Sequence, residues 1–134
     1  MAAYGVGPAG VNVITPTVRE TYSKVGILEV ADAGNGVALF GLPKYAVPIG
    51  VYTICLGANA TQTVSVGYSD GGAELLNAFA PNSTGYEVAG AAAGTGVGVQ
   101  LTADKKVYAK ASATLTTPVI VKVEYYIPPQ GLTL

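Results

Sequence analysis

The side chains that could take part in catalysis or hold a metal are few in this chain of 134 residues. It contains no histidine and a single cysteine, Cys55. This composition removes most metal sites and every nucleophile that a histidine would activate. Cys55 lies in an uncharged apolar stretch, so we expect a small core residue and not a reactive thiol. A lone cysteine also excludes an internal disulfide framework and fits a protein made in a reducing cytoplasm.

The remaining reactive groups are eight carboxylates, which a glycosidase would use as a pair. They are Glu20, Glu29, Asp32, Asp70, Glu74, Glu87, Asp104 and Glu124. Most fall in turns or alternate outward along strands, where the ordinary role of a carboxylate is a solvated, structural one. We therefore expect that the protein is not an enzyme, with no catalytic residues, no bound metal and no cofactor.

Three short motifs resemble functional sites but lack the surroundings that those sites need. The glycine-rich stretch 94–98 resembles a phosphate-binding loop, but no strand-loop-helix context accompanies it, which favours a plain flexible loop. The stretches 59–61 and 82–84 match the N-glycosylation sequon. No secretion signal is visible at the first residues, so we interpret both sequons as coincidental.

The charge pattern favours contact with other proteins over contact with nucleic acid or lipid. Charged residues make up only 11% of the chain, against an ordinary ~25%, and mean hydropathy is +0.43. The seven basic residues are scattered among the acidic ones, which predicts no nucleic-acid partner. No apolar run approaches the ~20 residues of a membrane span, which predicts no membrane partner. A weakly charged surface with nine tyrosines suits protein contact.

Two alternating runs in the last third of the chain predict a closing hairpin. In residues 107–115 and 119–127, apolar side chains occupy every second position, as in half-buried strands. The three residues 116–118 between them favour an antiparallel pair with a tight turn. This register places Lys110 directly opposite Glu124 on the outer face, and a slip by one residue would bury both charges.

Two more hairpins are predicted upstream of this one. The runs 25–30 and 37–42 flank a turn cluster that contains Asn35-Gly36, a pair that tolerates positive φ. The runs 50–56 and 63–68 flank a second cluster of small residues, and neither run carries a charge. Strands of this kind are usually central in a sheet or covered by a neighbour.

Residues 73–79 are the one stretch that predicts a helix. Leu75, Leu76 and Phe79 share one side at helical spacing, and a helix of about two turns would need the sheet to pack against. The whole pattern is eight or nine short strands, one short helix and frequent turn signals. It predicts an all-β fold, an antiparallel β-sandwich resembling a jelly roll.

The chain divides into an extended N-terminal arm (1–20), a β-sandwich domain (21–127) and a proline-stiffened tail (128–134). The arm carries apolar residues among Gly and Pro that cannot form a core alone. These candidate contact residues are Tyr4, Val6, Val11, Val13 and Ile14. Two interpretations of the arm stay open, namely contact with a partner and the first strand of the same sandwich.

The stretches 64–70, 75–79, 101–109 and 119–125, about half of the chain, resemble small virion structural proteins of tailed bacteriophages. In that family a strand ending in Gly-x-Ser-Asp precedes a short helix. A Thr-Ala-Asp-x-x-Val-Tyr turn then leads into a closing hairpin that ends in Glu-Tyr. The chain is most similar to head decoration (cement) proteins, and the resemblance supplies no catalytic residue.

The resemblance implies a β-sandwich on the capsid exterior, often trimeric, which joins neighbouring capsid subunits. The implied partners are the major capsid protein and further copies of the chain, in a homotrimer. Uncharged strands with unprotected edges independently favour such association. Two alternatives remain at this point: a tail or fibre component of a phage, and a carbohydrate-binding β-sandwich in which tyrosines stack on sugars.

Overall fold

A computed structural model describes residues 21–32, 34–59, 62–81, 85–88, 93–129 and 132–133. These residues form eight strands, and the longest helical segment among them is a single 3-10 turn, Val30–Asp32. The strands are β1 (Thr21–Leu28), β2 (Val37–Leu42), β3 (Val47–Cys55), β4 (Val64–Gly67), β5 (Leu76–Phe79), β6 (Gly85–Val88), β7 (Lys105–Ala111) and β8 (Val119–Tyr126). The prediction of an all-β fold is confirmed.

The strands make two antiparallel sheets of four strands each. Sheet A has the order β1-β8-β3-β6, and sheet B has the order β2-β7-β4-β5. Every second residue of β8 is buried, from Val119 to Tyr125, and Val107, Ala109 and Ala111 of β7 are buried in the same way. Because side chains alternate along a strand, each sheet turns one apolar face inward and one face outward. The result is a β-sandwich.

The pairing of the strands is that of a jelly roll. β1 pairs with β8, β2 with β7, β3 with β6, and β4 with β5. This nesting arises when one long hairpin, bent at the β4-β5 connection, rolls up so that successive strand pairs alternate between the sheets. Only the β4-β5 connection therefore stays within a sheet, and the other six connections cross from one sheet to the other.

The three predicted hairpins are wrong for this reason. β7 and β8 lie in different sheets, so Lys110 is opposite Ser65 in sheet B, whereas Glu124 is opposite Ser23 and Gly50 in sheet A. The same holds for β1 with β2 and for β3 with β4. A crossing connection and a hairpin place the same alternate residues in the core. The alternation thus identified the buried residues correctly and could not identify the strand partner.

The predicted helix at residues 73–79 is also wrong. Residues 76–79 form β5, which pairs with β4 through the registers Leu76–Val66 and Phe79–Val64. The backbone N–H of Leu75 donates to the carbonyl of Val66 at 2.9 Å. Leu75 and Leu76 are both fully buried, so pairing with β4 satisfies their backbone and side chains better than two isolated helical turns would.

Asn59 holds together two connections that cross between the sheets. Its side chain is fully buried, at 0% exposure, and its Oδ1 accepts hydrogen bonds from the backbone N–H of Thr116 (2.7 Å) and Thr117 (3.1 Å). Its Nδ2 lies 3.4 Å from Oγ1 of Thr117 and 3.8 Å from Sγ of the buried Cys55. The β3-β4 connection is thereby fastened to the β7-β8 connection. A fully buried Asn59 amide also agrees with the interpretation of its sequon as coincidental.

Candidate docking surface

The candidate contact residues of the arm lie outside the described residues, so the surface of the domain itself must supply the candidates. Tyr4, Val6, Val11, Val13 and Ile14 all belong to residues 1–20. Within the described residues, no three His, Cys, Asp or Glu side chains are grouped as a metal site would require. The described part of the chain also contains no helix long and apolar enough to span a membrane.

The outer face of sheet A carries a row of apolar side chains. Ile27 of β1, Ile120 of β8 and Ile54 of β3 lie side by side in register, straight across three strands. Val25 follows on the same face of β1 and is 56% exposed. We call Val25, Ile27, Ile54 and Ile120 the apolar row. Leu56, directly after β3, is 81% exposed. Clustered exposed aliphatic side chains on a folded domain typically mark a contact surface.

Next to the apolar row, the same face carries a lysine and a glutamate whose opposite charges cancel, together with a tyrosine that bonds to the glutamate. The Tyr52 hydroxyl donates to Oε1 of Glu124 at 2.7 Å, and the Lys122 ammonium lies 3.4 Å from Oε2 of Glu124. Lys122 also sits 5.5 Å from the centre of the Tyr52 ring. The Tyr52 hydrogen bond, followed by Lys122, lowers the pKa of Glu124 below its usual value. The described side chains of this face thus carry one positive and one negative charge.

The outer face of sheet B is built differently. Lys106, Tyr108 and Lys110 point outward from β7, and Lys110 lies 3.8 Å from Asp70 in the β4-β5 connection. That connection folds back over β4. Oε1 of Glu74 accepts the backbone N–H of Tyr68 at 3.1 Å, and a Cβ placed on Gly67 would meet Glu74 at 2.2 Å. This face is partly covered by the chain's own loop.

Under this loop lies a buried phenol. The Tyr68 hydroxyl is buried and has no hydrogen-bond partner among the described residues. Burial, with a smaller contribution from the nearby Glu74 carboxylate, raises the pKa of Tyr68 to about 12. Such a phenol stays neutral at physiological pH, and we assign it to the structural core and not to chemistry.

A cleft of about 540 Å³ opens between the two sheets where β1 and β2 form their edges. We call it the lysine cleft. It is lined by Lys24, Gly41, Leu42, Pro43, Asp104, Lys105, Lys106 and Tyr125. Lys24 occupies an inward-facing position of β1, in register with the buried Val123 of β8. An inward lysine at an edge explains why the two sheets stay apart here, since its ammonium group must reach water.

Comparison with solved structures places this architecture among bacteriophage capsids. The chain is similar to one in the cyanophage Pam1 capsid asymmetric unit, with a TM-score of 0.62, 19% identity, and coverage of 92% of this chain and 98% of that one. What the two chains share is the fold. This agrees with the resemblance to virion proteins that the strand motifs indicated.

Two further capsids contain a chain with the same fold. For the acid-stable capsid of the Helicobacter pylori bacteriophage KHP30 the TM-score is 0.59, with 18% identity over 83% of this chain and 91% of that one. For the capsid of Ralstonia phage GP4 the values are 0.60, 19%, 87% and 90%. No protein-family model and no curated protein sequence matches the chain.

The sequence contained a signal for the apolar row that the analysis of single strands missed. Ile120 falls in the outward set of β8, with Lys122 and Glu124. An isoleucine among outward charges does not contribute to the core of the sandwich. Its alignment with Ile27 and Ile54 depends on β1 and β3 both flanking β8, a pairing that local pattern does not reveal.

Proposed function

We propose that the chain is a non-enzymatic virion structural protein that binds the outer surface of a bacteriophage capsid and stabilises it by bridging capsid subunits. The observation that carries this proposal is the fold, which matches capsid chains over nearly their whole length. The absence of a metal cluster from the described residues, and of histidine from the entire sequence, fits a binding role better than a catalytic one.

In this proposal, the N-terminal arm and the loops next to it make the contacts with the shell. An apolar segment that lacks a core gains most when it orders against a partner, and the entropy lost in ordering keeps each contact modest. Many equivalent copies around a shell offset that modest affinity through multivalent contact.

The apolar row is assigned to contact between copies of the chain, in a trimer. The Lys122 and Glu124 charges compensate each other on this face, so copies can approach it without like-charge repulsion. The outer face of sheet B is partly covered by the β4-β5 connection, which carries Asp70 and Glu74, and this makes it the poorer candidate for self-association.

The test of capsid binding is co-sedimentation of the purified chain with undecorated phage shells. Wild type should sediment with the shells and raise their resistance to heat. A variant that lacks residues 2–14 should stay folded by circular dichroism and lose binding. If this variant unfolds, the arm belongs to the core; if it binds fully, the attachment site lies elsewhere on the domain.

The test of the trimer is sedimentation equilibrium with a pair of matched variants. Val25→Ser removes an exposed side chain from the apolar row and should shift the trimer toward monomer. Val99→Ser is the control, because Val99 is equally exposed (56%) but lies outside the row, in the connection before β7. A wild-type monomer at micromolar concentration, alone and with shells, contradicts this part of the proposal.

A further inference from the structure

The lysine cleft combines an apolar floor with a basic rim. Leu42 and Tyr125 on its floor are buried, and Pro43 adjoins them. Three lysines line it, Lys24 from β1 and Lys105 and Lys106 from the start of β7. None of the three forms an ion pair with a described carboxylate, since the described ion pairs involve Lys110 and Lys122. The cleft is therefore a surface on which apolar contact and positive charge lie together.

The one carboxylate in the cleft wall does not neutralise this rim. Oδ1 of Asp104 accepts the backbone N–H of Lys44 at 2.8 Å, which holds the turn between β2 and β3. Lys24 and Lys105 occupy inward-facing positions, and these two ammonium groups against one carboxylate leave an excess of positive charge. A complementary partner must therefore be anionic and must also offer an apolar side chain to the floor.

A purely structural explanation accounts for only part of the arrangement. An inward-pointing lysine protects an edge strand from pairing with another sheet, which is a sufficient reason for Lys24. It does not explain the inward-facing Lys105, because β7 is a central strand of sheet B, between β2 and β4.

The position of the cleft indicates the source of the partner. β1 begins at Thr21, which is in register with Tyr126, the neighbour of the cleft residue Tyr125. Residues 1–20 therefore join the domain at the mouth of the cleft. The proposed function assigns that arm and the adjoining loops to the capsid shell, so the same end of the sandwich faces the shell.

We propose that the lysine cleft binds an acidic, extended segment of the capsid-shell protein, whose carboxylates meet Lys24 and Lys105 while an apolar side chain packs on the half-buried Pro43 above Leu42 and Tyr125. The chemistry of the partner follows from the cleft, and its assignment to the shell rests on the proposed function. The contact adds a charge-selective attachment point to the arm.

The first experiment measures peptide binding to the full-length protein without any shell. The probe is a capped, fluorescently labelled peptide, Glu-Ser-Leu-Glu-Leu-Ser-Glu, followed by fluorescence anisotropy. The double variant Lys24→Gln/Lys105→Gln should weaken binding roughly three- to tenfold, as expected for the loss of two exposed charge contacts. The control Lys110→Gln removes a lysine from the outer face of sheet B, outside the cleft, and should bind like wild type.

Three further probes test the stated chemistry. Replacing glutamate by lysine in the peptide should abolish binding, and replacing leucine by serine should weaken it, because the floor is then left uncovered. Amide shifts in NMR should concentrate at Leu42 and Tyr125. An oligothymidylate that binds as tightly as the peptide would make the cleft a general polyanion site and overturn the proposal, as would equal binding by Lys24→Gln/Lys105→Gln and Lys110→Gln.

The second experiment separates this inference from the proposed function by co-sedimentation with undecorated shells. Loss of shell binding in Lys24→Gln/Lys105→Gln, with the control variant unaffected, supports the assignment to the shell. If both variants bind shells like wild type, the inference fails and the proposed function stands. If wild type itself does not bind shells, the proposed function and the shell as source are overturned together, and peptide titration still decides the chemistry of the cleft.

Discussion

The two sheets of this sandwich are alike on the inside and different on the outside. Inward, both present alternating aliphatic residues, such as Val121 and Val123 in sheet A and Val66 and Val107 in sheet B. Outward, sheet A presents an open apolar row beside a compensated charge pair. Sheet B presents lysines and is partly covered by the β4-β5 connection.

Folding constrains the residue types of the inner faces, but it does not constrain those of the outer faces. The inner faces must be apolar, because they share one core, and exchanging an inner valine for a polar residue would destabilise the domain. The outer face of sheet A has no such requirement. Exposed isoleucines there do not contribute to the core, and the proposed contact between copies would give them a role outside the isolated domain.

Each sheet has one neighbouring tyrosine and glutamate, and the two pairs differ in the same way as the outer faces do. In sheet B, Glu74 lies beside the buried Tyr68 and, after desolvation, helps to raise the pKa of the phenol. In sheet A, the Tyr52 hydroxyl donates to Glu124 on the open face and lowers the pKa of the carboxyl. One pair is part of the interior and the other belongs to the surface.

The largest effect should come from Asn59→Ala, which separates the β3-β4 connection from the β7-β8 connection. The substitution removes the acceptor of the backbone N–H groups of Thr116 and Thr117 and leaves a cavity at a fully buried site. We expect the free energy of unfolding to fall by about 2–4 kcal/mol in urea denaturation. Asn77→Ala, at an exposed position of β5, is the control and should change stability by less than about 0.5 kcal/mol. Equal effects of the two substitutions would remove Asn59 from this role.

The next largest effect should come from Gly67→Ala, which tests whether the β4-β5 connection packs against the outer face of sheet B. A Cβ at this position would lie 2.5 Å from the backbone of Gly72 as well as against Glu74, so the β4-β5 connection must move. We expect a loss of roughly 1–3 kcal/mol and faster amide exchange in residues 68–75. Gly41→Ala is the matched control in the same sheet, because its Cβ would meet its nearest neighbour at an ordinary 3.7 Å. A Gly67→Ala protein as stable as the control would mean that the loop does not rest on β4.

A somewhat smaller effect should appear in the alkaline stability of the protein through Tyr68. Its pKa is raised to about 12, so the folded state keeps the proton while the unfolded chain loses it near pH 10. The stabilisation is therefore complete below pH 10 and is lost as the pH rises toward 12, by about 2 kcal/mol.

Tyr68→Phe should flatten this alkaline decline in part, because Tyr125 also has a raised pKa owing to burial. At neutral pH the variant should be within about 1 kcal/mol of wild type, since no described residue bonds to the lost hydroxyl. Urea denaturation across the alkaline range measures both effects. An unchanged decline in Tyr68→Phe would show that this phenol titrates as an exposed one does.

The sequence alone predicted the fold class and the buried residues of the last strands, and it failed on strand partners. In β8, the inward parity of Val119, Val121, Val123 and Tyr125 was correct. The partner of β8 was not, because residues 112–118 look the same whether the chain turns back in one sheet or crosses to the other. Only the joint arrangement of eight strands decides between these, and it places β1 and β3 beside β8.

The candidate surfaces depended on that arrangement and could not be predicted for the same reason. The apolar row needs β1, β8 and β3 to be neighbours, and the lysine cleft needs Lys24 to face Lys105 across two sheets. These residues are far apart in the sequence and follow no common local pattern. The wrong prediction of a helix has a related cause. Leu75 and Leu76 are compatible with a helix and with a strand, and pairing with β4 makes this segment a strand.

The smallest predicted effect concerns the compensated charges on the outer face of sheet A, through Tyr52→Phe. The hydrogen bond from Tyr52 is the largest cause of the lowered pKa of Glu124, so we expect this pKa to rise in the variant, with Lys122 retaining part of the shift. A depressed carboxyl pKa stabilises the folded state above the ordinary pKa and ceases to do so as the pH falls through the folded value. Tyr52→Phe should therefore be less stable at neutral pH, by roughly 0.2–1 kcal/mol because solvent screens the pair, and the difference should shrink in acid.

Carbon NMR of the Glu124 carboxyl measures the change in its pKa directly. Tyr126→Phe, on the same face of β8, should leave the titration of Glu124 unchanged. If Glu124 titrates identically in wild type and in Tyr52→Phe, the Tyr52 hydroxyl does not hold this charge pair together, and the neutrality of the face must depend on Lys122 alone.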